Sequence, residues 1–448
     1  LSPEERKDNF SEVIPCAFTE EQAMAEASRC LECGCHDYFE CKLIDFANQY
    51  DVKPERFAGD KNTIEFEDDH PFIVRDPNKC ILCGLCVRVC DEVVGVGALG
   101  LVHRGFDTVV KPNMEKPLAE SGCISCGQCA VVCPTGAIVE QSHIPRVEQA
   151  MKAGKVMVLQ TAPATRVAFA ENFGREPGEI ATSKLVACAK AAGFQYVFDT
   201  NFGADLTIME EATELLHRVA DKGVLPMITS CSPGWVNYAE YYYGDLLPHL
   251  SSCKSPHEMF GAILKSYYAE KKGIIPEDMF VVSVMPCVAK KYEKERPELA
   301  KDGIKDVDAV LTTRELAKLI KRSGIMFNRL PDEDFDYDIV GDYTGAGVIF
   351  GATGGVMEAA LRTAAYKLDG KELKNVELKD VRGLAGIKEA TYKLGGAEVK
   401  VAVASGMKNA KVLLDEIRAG KSPYHFIEIM GCPGGCVAGG GQPFVKPC

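Results

Sequence analysis

Strand-like and helix-like patterns alternate along the C-terminal two thirds of the chain, from about residue 150 to about residue 430. The run VMVLQTAPATRVAFA, which begins at Val156, predicts a buried strand and then a loop marked by proline. The run IMEEATELLHRVADKG, which begins at Ile208, predicts an amphipathic helix that ends at glycine. Further apolar runs stop at Pro and Cys, as in MFVVSVMPC. This alternation predicts an α/β domain with a largely buried sheet.

The N-terminal third has a different pattern, in which short elements are interrupted by groups of cysteines. Alanines at helical spacing predict a helix from Glu20 to about Arg29, directly before the first group. Residues 66–145 hold two further groups, separated by a segment that reads as a turn-rich loop, LVHRGFDTVVKPN. We therefore expect small cysteine-rich units before the α/β domain.

Composition narrows the class of protein. The 448 residues suggest about three domains. A net charge of −13 argues against a nucleic-acid-binding face, and no apolar run approaches the roughly 20 residues that span a bilayer. No signal peptide opens the sequence, so we expect a cytoplasmic protein. The first residue is Leu1 and not methionine, which leaves open a leader or an upstream domain.

The 20 cysteines are the most informative residues. Thirteen of them lie between Cys16 and Cys133, most of them close to another cysteine. Disulfide scaffolds are usually short secreted chains, whereas tight cysteine clusters in a long chain without a signal peptide indicate metal sites.

Two of the clusters repeat one spacing. Three cysteines two residues apart are followed by a fourth after three residues, and this spacing is that of the bacterial ferredoxin run, in which the fourth thiolate binds the other cube. Zinc is the alternative, but zinc sites usually use two separated pairs. Asp91 stands where the first run would have proline. We predict one 4Fe-4S cluster on Cys80, Cys83, Cys86 and Cys133, and a second on Cys123, Cys126, Cys129 and Cys90.

The N-terminal group offers four more thiolates, Cys30, Cys33, Cys35 and Cys41, which predict a third 4Fe-4S cluster with zinc as an open alternative. This segment resembles the cysteine-rich part of the glutamate synthase small subunit and its relatives. There such a cluster lies beside an FAD- and NAD(P)H-binding module. The chain shows no nucleotide-binding fingerprint, so either Leu1 is a cut point or that module is a partner chain.

Three separated segments of the C-terminal domain present cysteine at a strand end or in a glycine-rich loop: TSCSPGW, MPCVAKK and EIMGCPGGCVAGGGQP. Thiolates on such distant loops can converge on one metal centre. Glycines allow the backbone to approach a cofactor closely, and Lys290 supplies a positive donor for an anionic ligand.

These three segments closely resemble the signatures of the iron-only (FeFe) hydrogenases, and the resemblance extends from about Ile73 to Pro443. It implies a 4Fe-4S cube bridged through a cysteine to a two-iron subsite with CO, cyanide and a dithiolate amine, together called the H-cluster. The reaction it implies is the reversible reduction of protons to dihydrogen. It further implies that Cys287, Cys432 and Cys436 bind the cube, with Cys436 as the bridge. Lys290 and the backbone near Pro163 would hold the cyanides, and Met285 and Met430 would pack around the subsite.

Taken with the cysteine pattern, the resemblance predicts three domains. Residues 1–65 form a helical iron–sulfur segment, and residues 66–147 form a ferredoxin-like α+β domain with two clusters. Residues 148–448 form an α/β catalytic domain with mixed or parallel sheets in two lobes around a buried metal cluster.

A proton path follows from the same resemblance. Cys231 matches the thiol that hands protons to the bridging amine, and Glu211, Ser251, Glu214 and Arg218 match the route to solvent. Spacing puts Glu211, Glu214 and Arg218 on one helix face, as a chain of proton carriers requires. The residues alone would favour a solvated helix face instead.

One position departs from the family. The first signature normally reads Cys-Cys-Pro, and here Ser232 stands in place of the fourth cube ligand. A serine hydroxyl is a harder and far less acidic ligand than a thiol. Ser232 could bind as an alkoxide, Cys231 could become the ligand, or the cube could be weakened or absent.

These observations predict a hydrogenase that exchanges electrons through three accessory 4Fe-4S clusters with a ferredoxin or a flavin–NAD(P)H module. Maturation proteins would supply the two-iron subsite, and neither nucleic acid nor membrane is an expected partner. The alternative, prompted by Ser232, is a hydrogen-sensing or inactive iron–sulfur relative.

Overall fold

The computed structural model describes residues 18–28, 42–60, 62–64, 70–371 and 386–444, together with the single residues 4, 7 and 66. The predicted ligands of the N-terminal cluster, Cys30, Cys33, Cys35 and Cys41, lie outside these residues.

Helices and strands alternate over most of the described chain. The α-helices, numbered α1 to α14, are Glu20–Ala27, Lys42–Gln49, Leu85–Arg88, Gln128–Val131, Ile144–Lys152, Thr182–Ala191, Asn201–Ala220, Pro233–Tyr242, Pro256–Ile263, Ala269–Lys272, Ala289–Glu293, Thr313–Arg322, Gly355–Asp369 and Met407–Arg418. The strands, numbered β1 to β14, are Ile73–Arg75, Leu99–Val102, Val109–Pro112, Ile138–Glu140, Val156–Thr161, Tyr196–Asp199, Met227–Ile228, Met279–Met285, Ala300–Lys301, Ile304–Lys305, Ala309–Thr312, Ile387–Leu394, Ala397–Ser405 and Phe426–Met430.

The predicted N-terminal helix is present as α1 and begins at a capping box. The Thr19 side chain accepts a hydrogen bond from the Gln22 backbone N–H, and the Gln22 side-chain oxygen accepts one from the Thr19 backbone N–H. The helix ends at Ala27, before the predicted Arg29.

The cysteine-rich part between residues 70 and 147 contains two antiparallel strand pairs. Strand β1 pairs with β4, which closes the segment on itself. Strands β2 and β3 form a hairpin, where the sequence had predicted only a turn-rich loop. The prediction was wrong because Leu99 and Val110 bury their side chains in the core of this segment, while the turn residues are confined to the tip, where Gly105 has φ +66°.

The first large sheet has the strand order β11–β8–β5–β6, and all its strand pairs are parallel. Both faces are covered. Met157 and Leu159 of β5 point into one apolar core, whereas Val158 between them points into another. This burial explains why β5 reads as a continuous apolar run.

The second large sheet has the order β12–β13–β14–β7 and is mixed, because β12 is antiparallel to β13 while the other pairs are parallel. The predicted α/β class with mixed or parallel sheets is confirmed. Within the described part of the chain, no helix is long and apolar enough to cross a membrane.

Four parallel strands end next to the functional motifs. Strand β5 leads into Pro163, β7 into Cys231, β8 into Cys287 and β14 into Cys432. The carboxyl ends of parallel strands are the usual place for ligand sites in α/β sheets.

Candidate metal centre and proton path

The loops after β5, β7, β8 and β14 enclose a cavity of about 110 Å³. The structure thus brings together segments that are far apart in the sequence, from Ala162 to Gly439. The predicted cofactor residues all line this cavity: Cys231, Ser232, Cys287, Lys290, Cys432, Cys436, Met285, Met430 and Pro163.

Glycines allow the loop after β14 to lie against the cavity wall. Gly435 has φ +100°, and a Cβ there would lie 2.7 Å from the backbone N of Thr353. A Cβ on Gly439 would lie 2.1 Å from the carbonyl oxygen of Pro286. No side chain fits at either position, so these glycines keep Cys432 and Cys436 close to the loop that carries Cys287.

Lys290 is the cation of the cavity. Its Nζ donates to the carbonyl oxygen of Cys231 at 3.0 Å and to Oε2 of Glu293 at 2.7 Å. Burial would lower the pKa of Lys290, but the charge and hydrogen bond of Glu293, together with Cys231 and Cys287, raise this pKa above its ordinary value. The side chain therefore stays protonated and can hold an anionic ligand.

The cavity thiols are partly buried. Burial raises the pKa of Cys287 to about 12 and that of Cys436 to about 11. Neutral thiols in this position become stable thiolates only when a metal takes the place of the proton. The remaining wall is apolar and includes Ala162, Ala204, Pro233, Phe350 and Val356.

Ser232 lies at the start of α8. Its side chain does not cap that helix. Instead, Oγ accepts a hydrogen bond from the backbone N–H of Gly431, which directly precedes Cys432.

The two ferredoxin-type runs form two smaller cavities. The first is lined by Cys80, Cys83, Cys86 and Cys133, and the second by Cys90, Cys123, Cys126 and Cys129. The structure therefore brings together each set of four that the spacing predicted. Backbone N–H groups point at two of the sulfurs, from Leu82 to Cys80 Sγ at 3.4 Å and from Ala98 to Cys90 Sγ at 3.3 Å.

Gln128 joins the second small cavity to the large one, and the sequence did not indicate it. Its side-chain amide donates to Cys432 Sγ at 3.3 Å and to the carbonyl oxygen of Ala438 at 2.7 Å. The residue lies between Cys126 and Cys129 of the second run. A position inside the repeated motif was the only signal that could have pointed to it.

The predicted proton-path residues form one connected group on α7 and the segment after β7. Ser251 Oγ donates to Glu214 Oε2 at 3.0 Å, and Arg218 Nη2 donates to Glu214 Oε1 at 2.6 Å. Arg218 also donates to the carbonyl oxygen of Leu250 at 2.7 Å. Glu211 is 1% exposed, so the alternative of a fully solvated helix face is wrong for this residue.

The two glutamates differ in acidity. Burial, followed by the charges of Glu214 and Glu428, raises the pKa of Glu211 to about 8, although a hydrogen bond from Ser251 opposes this rise. Burial would also raise the pKa of Glu214, but hydrogen bonds from Arg218 and Ser252 outweigh it and lower this pKa. A protonated inner acid therefore stands next to an ionised outer one.

Two further residues contact Glu214 in this group. The Ser252 hydroxyl donates to Glu214 Oε2 at 3.1 Å, and Cys253 Sγ lies 3.7 Å from the same oxygen. Both follow Ser251 in the sequence, so their nearness to a predicted residue was the available signal.

Clustered buried thiols, one buried ammonium and an apolar wall fit an iron–sulfur cofactor with small anionic ligands. With two further four-cysteine cavities and a chain of acids beside it, the arrangement defines an iron–sulfur oxidoreductase that exchanges protons.

Comparison with known proteins identifies the family. The family "Iron only hydrogenase large subunit, C-terminal domain" matches residues 155–440, and a 4Fe-4S dicluster domain matches residues 79–137. The chain therefore belongs to the iron-only hydrogenases, which are enzymes, and the predicted recognition is confirmed.

Individual relatives support the same family assignment. The NADP-reducing hydrogenase subunit HndD of Solidesulfovibrio fructosivorans is 49% identical over 412 residues, which is 90% of this chain and 70% of that protein. Iron hydrogenase 1 of Clostridium pasteurianum is 43% identical over 419 residues, 93% of this chain and 73% of that protein. A solved structure of a variant of the FeFe hydrogenase HydA1 from Chlamydomonas reinhardtii matches with TM-score 0.60 and 42% identity, covering 67% of this chain and 85% of that one.

Proposed function

We propose that this chain catalyses the reversible reduction of protons to dihydrogen at an H-cluster in the large cavity. The observation that carries this proposal is the convergence of Cys287, Cys432, Cys436 and Lys290 on one buried, mostly apolar space. When bound, the H-cluster would supply the iron chemistry that adds electrons to protons.

The cube would be held by Cys287, Cys432 and Cys436, with Ser232 as the fourth ligand through its oxygen. The 3.1 Å hydrogen bond from Gly431 supports this choice over Cys231, since it keeps Ser232 Oγ beside the loop of Cys432. Lys290 and the backbone near Pro163 would hold cyanide ligands, and Met285 and Met430 would exclude water from the two-iron subsite.

Protons would travel between solvent and the cavity along Arg218, Glu214, Ser251, Glu211 and Cys231. Arg218 orients Glu214, and Ser251 contacts both glutamates. Glu211 and Cys231 are close enough for the charge of one to raise the pKa of the other. Arg218 keeps its protons and would hold Glu214 in place at the solvent end, and each link from Glu214 inward needs only a proton shift between neighbouring groups.

Electrons would enter through accessory 4Fe-4S clusters in residues 1–65 and 66–147 and reach the catalytic domain, residues 148–448. Gln128 supports the last step, because its contact with Cys432 Sγ connects the second ferredoxin-type cavity to the cube ligands. Since one relative is a subunit of an NADP-reducing hydrogenase, we propose a flavin–NAD(P)H module or a ferredoxin as electron partner. Maturation proteins would deliver the two-iron subsite.

An anaerobic infrared spectrum of the matured protein tests this proposal. Sharp bands of metal-bound CO and cyanide that shift under hydrogen are expected, together with hydrogen turnover. If no such bands appear and the iron content matches the accessory cubes alone, the proposed function is wrong for this chain.

A further inference from the structure

A second group of buried ionisable side chains lies on α9 and α11 and contacts Lys290. It consists of His257 and Glu258 at the start of α9 and Glu293 at the end of α11. Their exposures are 1%, 0% and 5%, and His257 also lines the large cavity. The proton path described above does not use any of them.

The contacts within this group are short. His257 Nε2 lies 2.6 Å from Glu293 Oε2 and 3.4 Å from Glu258 Oε1. Glu293 Oε2 in turn accepts from Lys290 Nζ at 2.7 Å. The group therefore reaches the cavity cation through one shared carboxylate.

The hydrogen bonds of this group are incomplete. Among the described residues, His257 Nδ1 and both carboxylate oxygens of Glu258 are buried without a hydrogen-bond partner. Burying a polar atom without a hydrogen-bond partner lowers the stability of the fold, so such atoms in a native structure call for a functional explanation. Here His257 Nδ1 can accept a proton, and the carboxyl group of Glu258 can hold or donate a proton.

Surrounding charges set the resting state. Burial, followed by the charges of Glu293 and Asp306, raises the pKa of Glu258 well above its ordinary value, while Lys290 and Lys254 oppose this. Burial lowers the pKa of His257 to about 4, and the charges of Lys290 and Lys294 act in the same direction. The charge of Glu293 and its hydrogen bond oppose this decrease. Near neutral pH, Glu258 is then a neutral acid, His257 a neutral imidazole, and Glu293 and Lys290 an ion pair.

A metal ion suits this group less well than a proton. The three ligand atoms lie within 4.8 Å of one another, as a divalent metal would need. However, the ammonium of Lys290 already occupies Glu293 Oε2, and a divalent cation there would face that positive charge.

We propose that His257, together with Glu258, is a second protonation site of the cavity, which takes up one proton from solvent when the bound cofactor gains one electron. The electron comes from the accessory clusters, and the proton converts the imidazole to imidazolium, so that the added negative and positive charges cancel. Glu293 stabilises the imidazolium through the 2.6 Å contact, and Glu258 supplies the second oxygen 3.4 Å away.

This inference rests on the proposed function, since it requires the cofactor in the large cavity. It goes beyond that function by assigning a charge-balancing site that is separate from the proton path on α7. His257 and Glu258 are thus positioning residues that set the electrostatic potential at Lys290, and they do not deliver protons for dihydrogen formation.

The test is a potentiometric titration of the matured protein, repeated at several pH values between 6 and 8. The infrared bands of the cyanide ligands report the redox state at each potential. A one-proton, one-electron step moves the midpoint potential by about 59 mV for each tenfold change in proton concentration. The wild-type protein and the Glu211→Gln variant should both show a pH-dependent midpoint. His257→Gln should lose this dependence, and Glu258→Gln, which has nearly the same shape as glutamate, should weaken it.

Glu298→Gln is the matched control, because the side chain of this glutamate is 53% exposed, follows α11 in the sequence and forms an ion pair with Arg296. It should behave as wild type. An unchanged pH dependence in His257→Gln and Glu258→Gln, with normal infrared bands, overturns the inference and leaves the proposed function intact. A stoichiometric extra divalent metal that is lost in Glu258→Gln also overturns it. Absence of the bands in wild type instead refutes the proposed function itself.

Discussion

The hydroxyl oxygen of Ser232 lies 3.1 Å from the backbone nitrogen of Gly431 and accepts its hydrogen bond. Gly431 directly precedes Cys432, so this bond joins the loop after β7 to the loop after β14. A hydroxyl that accepts one hydrogen bond still has its own proton and a second lone pair to offer. Ser232 could therefore still bind a metal through its oxygen while it keeps this hydrogen bond, as the proposed role of fourth cube ligand requires.

We expect Ser232→Cys to raise the midpoint potential of the cube and to slow its loss of iron to a chelator. A hard oxygen ligand favours the more oxidised iron, whereas a soft thiolate binds the cube better and favours reduction. A potentiometric titration monitored by electron paramagnetic resonance measures the midpoint potential. The rate of iron release to the chelator measures the stability of the cube.

Ser230→Cys is the control for this change. Ser230 lies in the same signature, two residues before Ser232, and its hydroxyl donates to the carbonyl oxygen of Cys253 at 2.8 Å, outside the lining of the cavity. A thiol there should leave the potential unchanged. Equal effects of both substitutions would show that Ser232 is not a ligand.

Cys231→Ala should abolish turnover while leaving the iron content of the catalytic domain unchanged. The thiol lines the cavity and is close enough to Glu211 for the charge of that glutamate to raise the pKa of Cys231, as the last proton carrier requires. Turnover and iron per chain are measured on the same anaerobic preparation. Loss of iron together with turnover would instead make Cys231 the cube ligand, and survival of turnover would exclude both roles.

Glu211→Gln should lower turnover by about a hundredfold or more, since a positioned acid–base group typically contributes that much. The amide keeps the shape of the side chain but cannot release a proton. Hydrogen evolution with an artificial electron donor measures the effect. Glu210→Gln, at the neighbouring exposed position on the same helix, should keep full activity.

The same glutamate makes stability depend on pH. Its pKa is about 8 in the folded chain and lies near 4.5 in the unfolded one, so the folded state binds more protons between these values. The folded state should therefore lose stability as pH rises from about 4.5 through 8. We expect the melting temperature of wild type to fall more than that of Glu211→Gln between pH 6 and pH 9. Parallel curves for the two proteins would contradict the raised pKa.

The sequence alone predicted the groups of cysteines whose geometry depends on short spacing along the chain. The two ferredoxin-type runs predicted which of eight cysteines share a cavity, because a loop with two residues between thiolates has few ways to wrap a cube. The strand ends also followed from the sequence, since a buried parallel strand shows as an apolar run that stops at Pro or Cys.

Contacts between segments that are distant in the sequence could not be predicted from local spacing. His257 and Glu293 are 36 residues apart and meet only because α9 and α11 both lie beside the first sheet. The β2–β3 hairpin was missed for a related reason, since its short strands are fixed by the burial of Leu99 and Val110 and not by local propensity.

Gln128 provides a last test of the link between the accessory clusters and the catalytic cavity. Its amide hydrogen bond to Cys432 Sγ, at 3.3 Å, stabilises negative charge on that sulfur and so favours the reduced cube. Gln128→Leu keeps most of the side-chain volume but removes the donor. We expect a lower midpoint potential of the cube and slower hydrogen evolution, because the electron must then enter a less favourable acceptor. Gln149→Leu, at an exposed position on α5, should change neither quantity. An unchanged potential in Gln128→Leu would show that the contact only positions the two domains and does not tune electron transfer.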